Sequence, residues 1–166
     1  MQDEIYKKVD AKRGEDYIGV CVVFFCHDGA GRVLLHRRAQ ACRDEQGRWD
    51  CGGGSMEHGE DWEGAIRREV KEEYCVDPTC VDFVCAENVL RDNNGVKTHW
   101  IALLHLVLVD PSQVDIGEPD KIDEIGWFLP GEFPEPGHSM LQSHFELVKD
   151  LIRPSLGDGP KMPVTE

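Results

Sequence analysis

The chain has no run of 18 apolar residues, no apolar leader after its opening Met-Gln-Asp-Glu-Ile-Tyr-Lys-Lys, and no Cys-x-x-Cys pair. Nothing in it reads as a membrane-spanning helix or a secretory leader, so a cytoplasmic location is expected. Its seven cysteines are odd in number and lack the spacing of a zinc or redox motif, so they read as reduced thiols. Positive charge is scarce, with 18 Lys and Arg against 32 Asp and Glu and a net charge of −14. That balance argues against a nucleic-acid polymer or a membrane surface as partner. It also repels phosphates, so a phosphate-bearing ligand would need cations to reach such a surface. No internal repeat is present.

What is there is ordinary in amount for one globular domain: 166 residues, 40% apolar and 30% charged. Residues 18–26, Ile-Gly-Val-Cys-Val-Val-Phe-Phe-Cys, read as a strand buried on both faces. A turn at His27–Gly31 leads to a returning strand over Arg32–Arg38. After a polar loop, Trp49-Asp50-Cys51 runs into Gly52-Gly53-Gly54, which reads as a turn permitting close backbone approach and positive φ. Asp61 is placed to cap a helix whose stripe of Trp62, Ile66 and Val70 faces the core. Strands are expected over 80–90, from Val96 to about Val109, and over Ile122–Leu129, with a hairpin turn at Asn93-Asn94-Gly95. Ser139 is placed to cap a last helix running to about Ile152, using Met140, Phe145 and Val148 for its apolar side. Residues 154–166, rich in proline and glycine, read as a disordered tail.

Three carboxylates stand out on the first helix. Glu69, Glu72 and Glu73 fall within an arc of about 100°, near the helix's carboxyl end. Like charges at i,i+4 repel, and that end of a helix favours Lys or Arg, so the arrangement costs about 1–2 kcal/mol. A hard divalent cation such as Mg²⁺ would offset that cost.

The same stretch resembles the Nudix box, G-x5-E-x7-R-E-U-x-E-E-x-G-U, where U is a bulky aliphatic residue. Gly54, Glu60, Arg68, Glu69, Val70, Glu72, Glu73 and Val76 fall in register, and Cys75 stands at the second glycine. The resemblance covers about residues 17–152 and implies an α/β fold, an α/β/α sandwich with a mixed sheet between helices. Residues 1–16 would then be an N-terminal extension and 153–166 the tail.

The resemblance also implies chemistry. A Nudix hydrolase cleaves the pyrophosphate of a nucleoside diphosphate linked to a group X, using Mg²⁺ or, alternatively, Mn²⁺. By the family's pattern, Glu69, Glu72 and Glu73 and the carbonyl of Gly53 would hold the metal, and Arg68 would orient Glu69 or Glu60. The general base would be a box glutamate or a later acidic residue, Glu118, Asp120 or Glu124. Arg37 and Arg38 are candidates for binding phosphates, and Trp127-Phe128 is expected to fill the core. Gly117–Lys121 followed by Trp127-Phe128 is similar to MutT-type members, which act on nucleoside triphosphates including oxidised ones. An ADP-ribose or nucleotide-sugar substrate is the alternative, and a non-catalytic nucleotide-sensing module stands outside the enzyme class. A homodimer is a further expectation. At Cys75 a Cβ disfavours a left-handed helix end by about 1 kcal/mol, and a modest local adjustment is expected there.

Overall fold

The computed structural model describes residues 11–152; the expected tail lies outside them. The chain forms β1 (Gly19–His27), β2 (Val33–Arg38), β3 (Trp49–Asp50), β4 (Gly52–Ser55), α1 (Trp62–Tyr74), β5 (Cys80–Asn93), β6 (Val96–Leu108), β7 (Ile122–Phe128) and α2 (Leu141–Val148). The strands make one mixed sheet in the order β3-β2-β1-β6-β5, with β4 also on β1 and β7 also on β2. Only the β1–β6 pairing is parallel.

Period-two alternation sends each strand's side chains to two cores. Val22, Phe24 and Leu34 meet Ala65, Ile66, Val70 and Tyr74 of α1. On the other face, Phe25, Val33, Leu35 and Leu104 meet Leu141, Phe145 and Val148 of α2. Each large apolar side chain so buried contributes about 1.5–3 kcal/mol. The result is the expected α/β sandwich with a helix on either side of a mixed sheet.

The feature that makes room for a site is a splay in the sheet. β1 and β2 pair only at His27 and Val33. Beyond that point β1 takes β4 as its neighbour, while β2 takes β3 and β7. A cleft opens where the two strands part.

Several local readings change. Gly52–Ser55 is a strand rather than a turn, and none of its glycines has a positive φ. These glycines matter for the Cβ they lack: one at Gly52 would strike the Phe24 ring. Trp62 is 55% exposed, its ring 6.2 Å from that of Phe83, and Ala65 and Tyr74 complete the buried stripe instead. Ser139 does not cap α2, because its hydroxyl and N–H donate to Glu45. Residues 13–17 form a turn closed by a bridge between Arg13 and Tyr17 and docked on the fold. There the Arg13 guanidinium donates to the Met56 carbonyl at 2.7 Å, the His99 N–H donates to the Gly14 carbonyl, and a Cβ on Gly14 would collide with Trp100.

Asp61 does cap α1, accepting from the Gly64 N–H at 2.7 Å. At the other end Cys75 adopts the left-handed conformation itself, with φ 58° and ψ 9°. The turn after the helix demands that conformation. The N–H groups of Cys75, Gly117 and Asp115 satisfy the carbonyls of Lys71, Glu73 and Tyr74. Cys75→Gly is therefore expected to stabilise the protein by about 0.5–1 kcal/mol, the left-handed penalty less the extra backbone entropy of glycine. Melting curves of the two proteins check this; a lower melting temperature would contradict it.

Candidate active site

Glu69 and Glu73 are brought together at the mouth of the cleft by α1 lying across β4. Glu73 is 7% exposed, and its Oε2 has no hydrogen-bond partner. Burial above all pushes its carboxyl well above the ordinary carboxylate range; Glu69, Glu118 and Asp50 push the same way, and the Gly53 N–H opposes them. Glu69 is likewise raised, first by burial, with Arg68 opposing. In both cases loss of solvent outweighs the groups that favour the charged form.

The glycines of β4 create this closeness. The Met56 N–H donates to the Val20 carbonyl, which fixes the phase of the β1–β4 ladder. Gly52 and Gly54 then bond to β1, and the N–H and carbonyl of Gly53 both point away from it, the N–H toward Glu73. A Cβ on Gly54 would fall inside the Glu69 carboxylate. Only glycine leaves that carboxylate its place.

Arg68 holds the arrangement from the side. Its guanidinium donates to both oxygens of Glu60 at 2.9 and 3.0 Å, to Glu69 at 2.7 Å, and to the Ser55 carbonyl. It also reaches Glu72 at 3.4 Å, where that side chain is half exposed. Glu72 thus stands on the solvent side of the pair, turned to Arg68. Among the described residues, no three His, Cys, Asp or Glu side chains are poised to hold a metal ion by themselves.

These donors nonetheless fit a divalent cation. A buried carboxylate with an unpartnered oxygen, Glu73, and a partly buried one held by Arg68, Glu69, sit beside a backbone carbonyl free of the sheet. Mg²⁺ retains several waters and binds substrate phosphates, so it needs few protein ligands.

The later acidic residues separate. Glu118 acts electrostatically on both Glu69 and Glu73, because Gly117 abuts the end of α1 with its N–H on the Glu73 carbonyl. Glu124 instead pairs with Arg37 at 3.4 Å, and Asp120 is exposed. Lys121, which the sequence reading passed over, donates to Glu118 at 2.7 Å, and its ammonium is stabilised by Glu118, Glu69 and Glu73. Its sequence signal was its place at the end of the Gly117–Lys121 stretch, three residues after Glu118.

Arg37 and Arg38 part company too. A register shift between them breaks the alternation of β2. Arg38 lines the cleft, its guanidinium held by Asp44 at 2.9 Å and Asp50 at 3.4 Å. Arg37 lies outside the cleft lining and faces Glu124. The cleft has a volume of about 380 Å³ and extends from Gly53 and Glu73 to Trp100, Met140 and His144. Several of its groups are strongly shifted, His138 among them, which burial lowers to about 4. Burial raises Asp50 to about 7 despite Arg38, and burial lowers His36 to about 3. His36 Nδ1 lies 2.6 Å from the Tyr74 hydroxyl, tying β2 to α1 beneath the site. All seven cysteines are free, and burial raises Cys26 and Cys51 well above an ordinary thiol.

The chain is similar to a MutT NUDIX hydrolase from Burkholderia pseudomallei, with a TM-score of 0.70 and 26% identity over 80% of this chain and 98% of that one. It shares its fold with the NUDIX domain of Shewanella oneidensis NrtR, solved with ADP ribose, at a TM-score of 0.65 and 17% identity over 90% and 95% of the two chains. An uncharacterized Nudix hydrolase of Yersinia pestis is 30% identical over 107 residues, 64% of this chain. That match spans little more than half of the relative, 56% of its length. The NUDIX domain model matches residues 17–151, and the chain belongs to the NUDIX domain family.

Proposed function

We propose that the protein is a metal-dependent pyrophosphohydrolase of nucleoside diphosphates linked to a group X. The observation that carries the reading is the pair Glu69 and Glu73, held undercompensated beside a glycine strand whose missing Cβ makes room for one of them. Water would attack one phosphorus of the pyrophosphate, forming a new P–O bond as the bridging P–O bond breaks.

Glu69, Glu73 and the Gly53 carbonyl would hold a magnesium ion, with Glu72 joining once it leaves Arg68. When bound, the ion supplies charge to the phosphoryl oxygens and acidifies water. Arg68 keeps Glu69 facing the strand. Glu118, near both carboxylates and paired with Lys121, is the favoured later-loop residue for accepting the water's proton. Arg38, which lines the cleft, rather than Arg37, would meet a phosphate there by giving up part of its pairing with Asp44 and Asp50.

Similarity to the MutT hydrolase supports a nucleoside triphosphate as the first substrate to try. ADP-ribose and nucleotide sugars form the second arm of the same screen. A sensing module without chemistry is less favoured, since Arg68, Glu69, Glu72 and Glu73 are all in place. The free thiols support a reducing compartment such as the cytoplasm. The homodimer belongs to the same proposal, and β5, at the edge of the sheet, offers a surface for it.

A mixed nucleotide panel with Mg²⁺ tests the activity, and a thermal titration tests the site. Added Mg²⁺ should raise the melting temperature by several degrees, because a ligand at 100 times its Kd stabilises the folded state by about 2.7 kcal/mol. A flat response to millimolar Mg²⁺, with no turnover on any nucleotide, would overturn the proposal.

A further inference from the structure

We propose that His144 is the residue that selects the group entering the α2 end of the cleft, and that this group is the heteroaromatic ring of a nucleoside. The inference rests on the nucleotide reading above. His144 is 7% exposed on α2, and its Nε2 has no hydrogen-bond partner. A buried polar atom left unmatched costs about 1–3 kcal/mol, so a ligand group that satisfies it gains an advantage over one that does not. Nε2 itself has almost no accessible surface, so a ligand in the cleft would meet it through a turn of the ring about χ2, a soft torsion for histidine.

The same cavity is lined by His144 at one end and by Gly53 and Glu73 at the other. A single ligand could therefore place phosphates at the carboxylates and its remaining part at α2. The volume of about 380 Å³ lies near the lower bound of small-molecule sites, roughly 300–1,000 Å³, and suits a nucleoside.

The chemistry of the walls favours a ring over a sugar. Val23, Val89, Trp100, Ala102 and Met140 line the cleft and belong to or pack on the core that holds α2. Most of the charged side chains toward α2 are already engaged: Arg38 with Asp44 and Asp50, Arg91 with Asp44 and Glu45, and Arg43 over the face of the Trp100 ring at 5.9 Å. A sugar needs a partner for each of several hydroxyls, and these walls offer few. A flat ring needs apolar contact on its faces and one or two polar partners at its edge. Burial lowers the His144 pKa, with Glu87 opposing, so the imidazole is uncharged near neutrality and offers one donor and one acceptor. Sites that hydrogen-bond a ligand group discriminate far more sharply than apolar ones.

The test is calorimetric titration of the common ribonucleoside monophosphates, with ribose 5-phosphate as the probe lacking a base. Wild-type protein, His144→Leu and His144→Gln are compared, and nitrogen-15 spectra follow the imidazole. The best-bound nucleotide should lose about tenfold or more in affinity in His144→Leu, and His144→Gln should restore most of it. Ribose 5-phosphate should bind wild type and variants alike, and only nucleotides should shift the His144 ring nitrogens. An equal loss for every probe, no loss for any, or no nucleotide binding by wild type would overturn the inference. If His144→Leu fails to fold, the glutamine variant and the nitrogen spectra decide it. Turnover is scored apart: base-selective binding without hydrolysis would sink the enzyme reading alone, and hydrolysis with base-blind losses would sink the role of His144 alone.

Discussion

Replacing Glu73 with glutamine is expected to lower turnover by about a hundred- to a thousandfold while leaving the fold intact. The size follows from removing about 3–4 kcal/mol of transition-state charge stabilisation, at 1.36 kcal/mol per factor of ten. The fold should tolerate the change because the native carboxylate is poorly matched to its place. It is buried beside Glu69, Glu118 and Asp50, and one oxygen lacks a partner. A neutral amide of the same shape removes a desolvated charge, so the metal-free variant should melt at or above the wild-type temperature. Its thermal response to Mg²⁺ should shrink accordingly. Glu72→Gln makes the contrast, since that side chain is half exposed and already engaged with Arg68, and a smaller loss is expected. Unchanged turnover in Glu73→Gln, on a nucleotide that wild type hydrolyses, would remove Glu73 from the proposed metal site.

The carboxylates were legible in the sequence because helical spacing is a local property. Glu69, Glu72 and Glu73 share one helix, and a period of 3.6 residues places them relative to one another without further knowledge. The Asn94-Gly95 turn was legible for the same reason: both residues have positive φ, as a tight hairpin requires. What was hidden depends on partners distant in the chain. Gly52–Gly54 looked like a turn until β1 supplied a neighbour along their whole length. Arg37 and Arg38 looked equivalent until β7, some 85 residues on, imposed a register shift between them. Ser139 had the chemistry of a cap, but Glu45 took its hydroxyl. The cleft itself comes from the parting of β1 and β2, which no stretch of sequence announces. His36 and His144 gained their meaning only with it.

The second large effect is expected at Gly54, where alanine should lower turnover about ten- to a hundredfold, the range seen when a residue that orients a metal ligand is lost. Its backbone is ordinary strand with no positive φ, so alanine meets no conformational penalty there. The pairing of Gly54 with Val22 uses main-chain groups alone and should persist. Alanine also restricts the unfolded chain, worth about 0.4–1 kcal/mol in favour of folding. The one obstacle is Glu69, whose carboxylate occupies the space the new methyl would take. A rotamer change can carry that carboxylate outward, weakening its 2.7 Å pairing with Arg68. Stability should therefore stay within about 1 kcal/mol of wild type, while the Mg²⁺ concentration for half-maximal rate rises by about the same factor as turnover falls. Gly54→Ala thus separates the placing of a ligand from its charge, which Glu73→Gln removes outright. Wild-type turnover at wild-type Mg²⁺ demand would mean that Glu69 works equally well elsewhere, and the glycine strand would lose its part in building the site.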